Sequence, residues 1–210
     1  MQELIDFLTN PYKEATTFDI SLEVIAAIFG IISVIFQKRA KVALYPTGMV
    51  STLIYIYICW NFSLYGDFLI NIYYSIMSIY GWILWTRPQD GGHLEITRST
   101  TKDWSITFGI FLSTALLVTA VYLYFDRFDR FTDYTDTLTT GIFFAAMWML
   151  ANKKTEHWIL WIVANSISIP LYLFKGLGFT AIQYSVFLVL AIQGWLIWQK
   201  KLKKENIILE

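Results

Sequence analysis

The stretch "GWILW" (Gly81–Trp85) returns as "GWLIW" (Gly194–Trp198), 113 residues further along a chain of 210. Each copy closes a long apolar run, and each is followed within a few residues by Arg87 or by Lys200 and Lys201. An aromatic side chain beside a basic one at such a boundary is the make-up of a membrane-interface anchor. On that ground Trp82, Trp85, Trp195 and Trp198 are expected to be anchors. A matching pair of endings also suggests that the chain was built twice.

Composition points the same way. Hydrophobic residues make up 56% of the chain and aromatics 18%, while only 15% are charged, against about 25% in soluble domains. The net charge of zero argues against nucleic acid, because phosphate binding needs a basic surface. The single cysteine, Cys59, excludes an internal disulfide and a cysteine zinc cluster. No metal or cofactor site is expected. The opening "MQELIDFLTNPYKEATTFD" is acidic and has no basic start leading into an apolar core, so it does not read as a signal peptide.

A helix needs about 20 mostly apolar residues to cross the hydrocarbon layer. Seven segments are candidates, near 20–37, 43–61, 66–86, 104–125, 137–152, 156–174 and 177–198. None has the dyad alternation of a barrel strand, so the fold class is an all-α membrane protein. Seven crossings place Lys38, Arg39, Lys41, Arg87, Arg98, Lys102, Lys153, Lys154, Lys200, Lys201, Lys203 and Lys204 on one side, and Lys13, Arg127, Arg130 and Lys175 on the other. The positive-inside rule then sets the N-terminus outside and the C-terminus inside.

Residues 38–85 lie over 151–198 without a gap, Lys41 falling on Lys154 and Leu64 on Leu177. A three-helix unit ends on the opposite side from its start, so one extra helix between two such units restores their common orientation. The expected plan is an external segment 1–19, a first repeat 20–86, a cytoplasmic loop 87–103 and a linker helix 104–125. A second repeat 137–198 and a basic cytoplasmic tail 199–210 complete it. Such 3+1+3 parallel repeats are one of the transporter architectures.

Polar side chains within lipid are expensive and usually face a cavity or a partner helix. The third segment carries Asp67, Asn71, Tyr74 and Ser78 at helical spacing, and the sixth carries Trp158, Trp161, Asn165, Ser168 and Tyr172. The seventh holds Gln183, Tyr184 and Gln193; Thr140, Phe144 and Trp148 form a weaker stripe on the fifth. These residues read either as helix-to-helix hydrogen bonding or as a midplane pocket, in which amides hold hydroxyl or carboxamide groups. Aromatic faces in such a pocket would stack on a flat ring and attract a cationic one. The pocket reading selects Asn71, Tyr74, Trp148, Trp161, Asn165, Gln183 and Gln193.

Other features have plainer readings. His157, at the start of the sixth segment, is expected at headgroup level, and His93 lies in a polar loop. Pro46 sits in a first turn, where proline is tolerated. Pro170 should kink its helix or free a carbonyl, and with Gly81 is a candidate hinge. There is no Walker A pattern. No acidic residue falls deep within the segments, so transport is expected to run downhill without ion coupling. A retinal protein would need a lysine within 177–198, and none is there. A rhomboid-type protease would want a Gly-x-Ser pattern and a histidine at depth; neither is present. The chain is therefore not expected to be an enzyme. A receptor or assembly subunit with the same pocket stays open.

The segments "SLYGDFLINIYYSIMSIYGWILW" (63–85) and "TEHWILWIVANSISIPLYLFKGL" (155–177) resemble the PnuC family of bacterial nicotinamide riboside transporters, and "SLEVIAAIFGIISV" (21–34) is similar to that family's first helix. The resemblance spans about residues 20–200. It implies a homotrimer in the bacterial inner membrane, with seven-helix subunits related to SWEET transporters. It also implies facilitated diffusion of a vitamin that a cytoplasmic kinase then traps, linking uptake to NAD biosynthesis. By position it implies that Trp161 and Asn165 form the sixth-helix binding element and that Gln193 is a seventh-helix amide. Asn71 stands where the family usually has Gln, which shortens one amide, and relatives carry thiamine, riboflavin or deoxynucleosides. Nicotinamide riboside and thiamine both hold a cationic aromatic ring; the several amides favour the riboside.

Overall fold

The computed structural model describes residues 16–61, 65–88, 92–124, 130–175 and 178–209, with backbone only at 65–66 and 204–209. The expected correspondence of Leu64 with Leu177, and the charges of Lys13 and Arg127, lie outside these residues. Among the described residues the chain forms seven helices and no strand. They are α1 (Thr17–Lys38), α2 (Leu44–Asn61), α3 (Tyr65–Thr86), α4 (Thr101–Tyr124), α5 (Phe131–Ala151), α6 (His157–Phe174) and α7 (Gly178–Leu209). The chain divides into two compact units, Met1–Leu94 and Glu95–Glu210. In the first, α1 packs on α2 and α2 on α3; in the second, α4 packs on α5, α5 on α6 and α6 on α7.

Five helices are long and apolar enough to cross a membrane by length and composition: α1, α3, α4, α6 and α7. The tyrosines, Pro46 and terminal Asn61 of α2 dilute its apolar content, as the run "TDYTDTLTT" dilutes α5. That run also explains a difference in limits. The apolar pattern of α5 begins at 137, yet the helix begins at Phe131, because the Asp133 carboxylate accepts from the Arg130 backbone N–H at 2.9 Å and ties down the first turn. Similarly, α4 starts at Thr101 rather than 104. Thr100 and Asp103 cap each other there, the Asp103 N–H donating to Thr100 Oγ1 and Asp103 Oδ2 accepting from the Thr100 N–H. Residues 199–209, expected as a tail, continue α7.

In the first unit the Ser33 hydroxyl donates to the Leu44 carbonyl at 2.7 Å, tying α1 to α2, and Thr52 shares a 2.8 Å hydrogen bond with Ser75, tying α2 to α3. In the second, the segment before α4 is strapped to the α5–α6 turn. The Thr97 N–H donates to the Lys153 carbonyl and the Thr155 N–H to the Thr97 carbonyl. Ser99 donates to Glu156 Oε2 through both its N–H and its hydroxyl, at 2.8 and 2.7 Å, and Lys154 pairs with Asp103 at 3.1 Å.

The turns after α1 and α5 have one design. Ala40 (φ 55°) and Lys153 (φ 51°) are the two non-glycine residues with left-handed backbone among the described residues, and they stand 113 positions apart. Around them, Ala40 N donates to Gln37 O and Lys41 N to Phe36 O; Lys153 N donates to Leu150 O and Lys154 N to Met149 O. These satisfy the last carbonyls of each helix, as left-handed C-terminal turns do. Lys153 is largely buried. That burial first, and the Lys201 ammonium second, hold its amine below the usual lysine range, while Glu95 pulls the other way.

The paired endings match as well. A Cβ on Gly81 would fall 2.5 Å from Tyr45 ring carbons, and one on Gly194 would fall 2.5 Å from the Trp158 ring. One turn on, Trp85 meets Tyr45 edge-on at 5.2 Å and 85°, and Trp198 meets Trp158 edge-on at 5.8 Å and 85°. The expectation that all four tryptophans anchor the interface is thus corrected for two of them. Trp85 and Trp198 are among the most buried side chains, whereas Trp82 is 40% exposed and Trp195 half-buried. A glycine four residues earlier on the same helix face opens a slot for the neighbouring ring, and the last tryptophan closes it. Close packing against Tyr45 accounts for a glycine at position 81. His157, the first residue of α6, is fully buried, with Nδ1 2.6 Å from the Lys154 carbonyl and its ring against Trp158 and Trp198.

Candidate functional site

The α6 helix presents a stripe with helical spacing: Trp161, Asn165, Ser168, Tyr172 and then Lys175, its C-cap residue. Asn165 and Ser168 are each only 1% exposed. Among the described residues, the Trp161 indole N–H, the Asn165 side-chain oxygen and the Ser168 hydroxyl have no hydrogen-bond partner. A buried polar group left in this way costs about 1–3 kcal/mol. Three of them in a row on one face are hard to account for as helix packing, where hydroxyl and amide groups find a partner across the contact. They suit a surface that hydrogen-bonds something brought to it.

Aromatic faces flank the stripe. Phe143 of α5 lies 5.1 Å from the Trp161 ring, and Tyr184 of α7 lies 5.9 Å from Phe143, close to parallel at 26°. Tyr172 then stacks on Tyr184 at 5.0 Å and 17°. Lys175 Nζ sits 5.2 Å from the Tyr172 ring centroid and pairs with Asp136 Oδ2 of α5 at 2.9 Å. The same carboxylate oxygen accepts from the Tyr122 hydroxyl of α4 at 2.8 Å. A ladder of rings thus runs from an ion pair at one end of α6 to unpartnered donors and acceptors further in.

The residues selected from sequence are treated unequally. Trp161 and Asn165 stand in this stripe. Gln183, half-buried, immediately precedes Tyr184 on α7. Trp148 is half-buried on α5, and its carbonyl accepts from both nitrogens of Asn152. In the first unit, the Asn71 amide turns onto its own helix and donates to the Asp67 carbonyl at 2.8 Å, and Tyr74 packs beside Tyr73 at 6.0 Å. Gln193 is exposed. Phe143 and Asp136 were not selected. Phe143 is one position off the Thr140–Phe144–Trp148 stripe, and Asp136 falls just before the apolar run that marked the fifth segment. No cluster of metal-ligating side chains occurs among the described residues.

Several helices of membrane-crossing length, one of them carrying buried unpaired polar atoms flanked by rings, mark a multi-pass membrane protein. The chain belongs to the nicotinamide mononucleotide transporter family, whose sequence pattern matches residues 20–200. It is 28% identical to the nicotinamide riboside transporter PnuC of Haemophilus influenzae, over 90% of this chain and 84% of that one. To the protein of the same name from Neisseria mucosa it is 25% identical, over 97% of this chain and 79% of that one. A crystal structure of the vitamin B3 transporter PnuC superposes with a TM-score of 0.67 at 23% identity, covering 96% of this chain and 90% of that one, which shows the fold. These relatives are named as transporters and not as enzymes, in agreement with the expectation from sequence.

Proposed function

We propose that the chain is an inner-membrane facilitator that imports nicotinamide riboside by alternating access, drawn by phosphorylation of the cargo in the cytoplasm. The observation that carries this is the row of unpartnered buried groups at Trp161, Asn165 and Ser168. Their donors and acceptors suit ribose hydroxyls and a carboxamide, and the ring faces beside them suit a cationic pyridinium. The relatives' name as nicotinamide riboside transporters supports the choice of cargo. Trp161 and Asn165 are the primary contacts in this reading; Asn71, Tyr74, Trp148, Gln183 and Gln193 are secondary ones.

The reading includes seven crossings, N-terminus out, and two parallel three-helix repeats joined by α4. The shared left-handed turns and the shared glycine–ring–tryptophan packing, each 113 residues apart, support the duplication. Pro170, which α6 passes through, is the proposed flexing point. A homotrimer and a partner kinase follow from the family resemblance. Influx and counterflow of labelled nicotinamide riboside in proteoliposomes, with thiamine as competitor, test the whole. Saturable influx that Asn165→Ala reduces at least tenfold is the expected result. Preference for thiamine would change the cargo, and binding without flux would make the protein a receptor.

A further inference from the structure

The ion pair at the end of the ring ladder has an arrangement that helix packing alone does not call for. Lys175 is on the α6 stripe itself, three residues after Tyr172, so its ammonium lies over the first ring of the ladder while Asp136 holds it from α5. Aromatic face, carboxylate and cation together make a filled cation site, with Lys175 as the occupant. Both members are only partly buried, at 26% and 23% exposure, and pairs of that kind are weak enough to exchange. The Tyr122 hydroxyl meanwhile holds Asp136 Oδ2 from α4, so the carboxylate keeps its place when the lysine swings away.

We infer that Tyr172, Tyr184 and Asp136 form an outer subsite for a cationic aromatic ring, which Lys175 fills in the absence of cargo and leaves when the cargo enters. The inference rests on the carrier reading above and adds a specificity determinant to it. Asp136 selects for positive charge on the ring, Tyr172 supplies the face, and the Lys175 ammonium competes for both. A neutral ring of the same shape cannot replace the ammonium as partner of the carboxylate, so it must leave the Lys175–Asp136 pair closed or bind beside it. Tyr122 positions the carboxylate and touches no cargo.

Nicotinamide riboside and its reduced, uncharged dihydro form differ in ring charge with little change in size, which makes them the matched probes. In proteoliposomes the full chain is expected to favour the cationic form in kcat/KM by about tenfold, as expected for one charge-assisted contact. Asp136→Asn should bring that ratio close to one, mostly by loss on the cationic compound. Lys175→Gln should raise the ratio by removing the internal competitor, and it carries the test if the Asp136 variant does not fold. Tyr122→Phe should fall between wild type and Asp136→Asn. If both compounds move and neither Asp136→Asn nor Lys175→Gln alters the ratio, the subsite is wrong and the carrier reading stands. If the wild type moves neither, the carrier reading fails and takes the subsite with it.

Discussion

Thr52 and Asn165 occupy corresponding places, 113 residues apart in the second helix of each unit's closing triplet, and they meet opposite fates. Thr52 shares a hydrogen bond with Ser75 on the next helix, while the Asn165 side-chain oxygen, at 1% exposure, has no partner among the described residues. The contrast extends along each unit. In the first, Ser33 and Asn71 are also used up on backbone carbonyls. In the second, Trp161 and Ser168 join Asn165 without partners. Similar scaffolds, with the same turn and the same ring-over-glycine slot, leave Tyr45 Oη and Trp158 Nε1 unpartnered under the slots of both units among the described residues. They differ further along, where Ser33, Thr52 and Asn71 are bonded in the first and Trp161, Asn165 and Ser168 are open in the second. An interior hydrogen bond spent on packing holds helices together; one left open is available to a ligand, at a cost in stability.

The strongest way to test the shared part is to fill the slots. Gly194→Val and Gly81→Val should each destabilise the fold by about 3 kcal/mol or prevent its accumulation, since the new atoms would enter the Trp158 or Tyr45 ring. Equal losses would support a common scaffold; a tolerated Gly81→Val in detergent thermal unfolding would break the parallel. The unshared part predicts opposite signs. Asn165→Leu should abolish uptake yet raise thermal stability, by about 1 kcal/mol, because it removes a buried unpaired oxygen. Thr52→Val should leave uptake within about twofold and lower stability by about 0.6 kcal/mol, the usual worth of such a contact in a membrane. Were Asn165→Leu to destabilise as Thr52→Val does, Asn165 would be a packing residue.

A smaller effect is expected at the turns. Ala40→Gly and Lys153→Gly relieve left-handed strain of about 1 kcal/mol and lose part of it to backbone entropy, for a net gain of about 0.5 kcal/mol in each unit. Gly109→Ala on α4 is the control with the least consequence. Nothing lies within 4 Å of the added atom, so unfolding should be unchanged or slightly improved.

Much of the fold can be read from residues in order. Long apolar runs give helices because nothing else satisfies the backbone in lipid, and α1, α3 and α6 begin and end within a few residues of the expected limits. The starts that moved, at α4 and α5, did so where capping aspartates extend a helix beyond its apolar stretch, and the end of α7 runs on past its apolar stretch to Leu209. The paired endings "GWILW" and "GWLIW" are visible although identity elsewhere is thin. The reason for those motifs is not. A tryptophan beside a basic residue looks the same in sequence whether it faces headgroups, as the exposed Trp82 can, or seals a slot under a ring, as Trp85 and Trp198 do. The same holds for the site: helical spacing put Trp161, Asn165, Ser168 and Tyr172 in one stripe, but Asn71 looked equally good and is bonded to its own helix.

The sequence by itself determined that this is a helical membrane protein with an internal echo and polar stripes at lipid depth, because hydrophobic length and period are local properties. Only the tertiary structure decided which stripe keeps its hydrogen-bonding groups open and which rings and charges stand against it. Satisfaction of a polar group depends on what the neighbouring helix places opposite it, and two helices far apart in the chain must pack before that question has an answer.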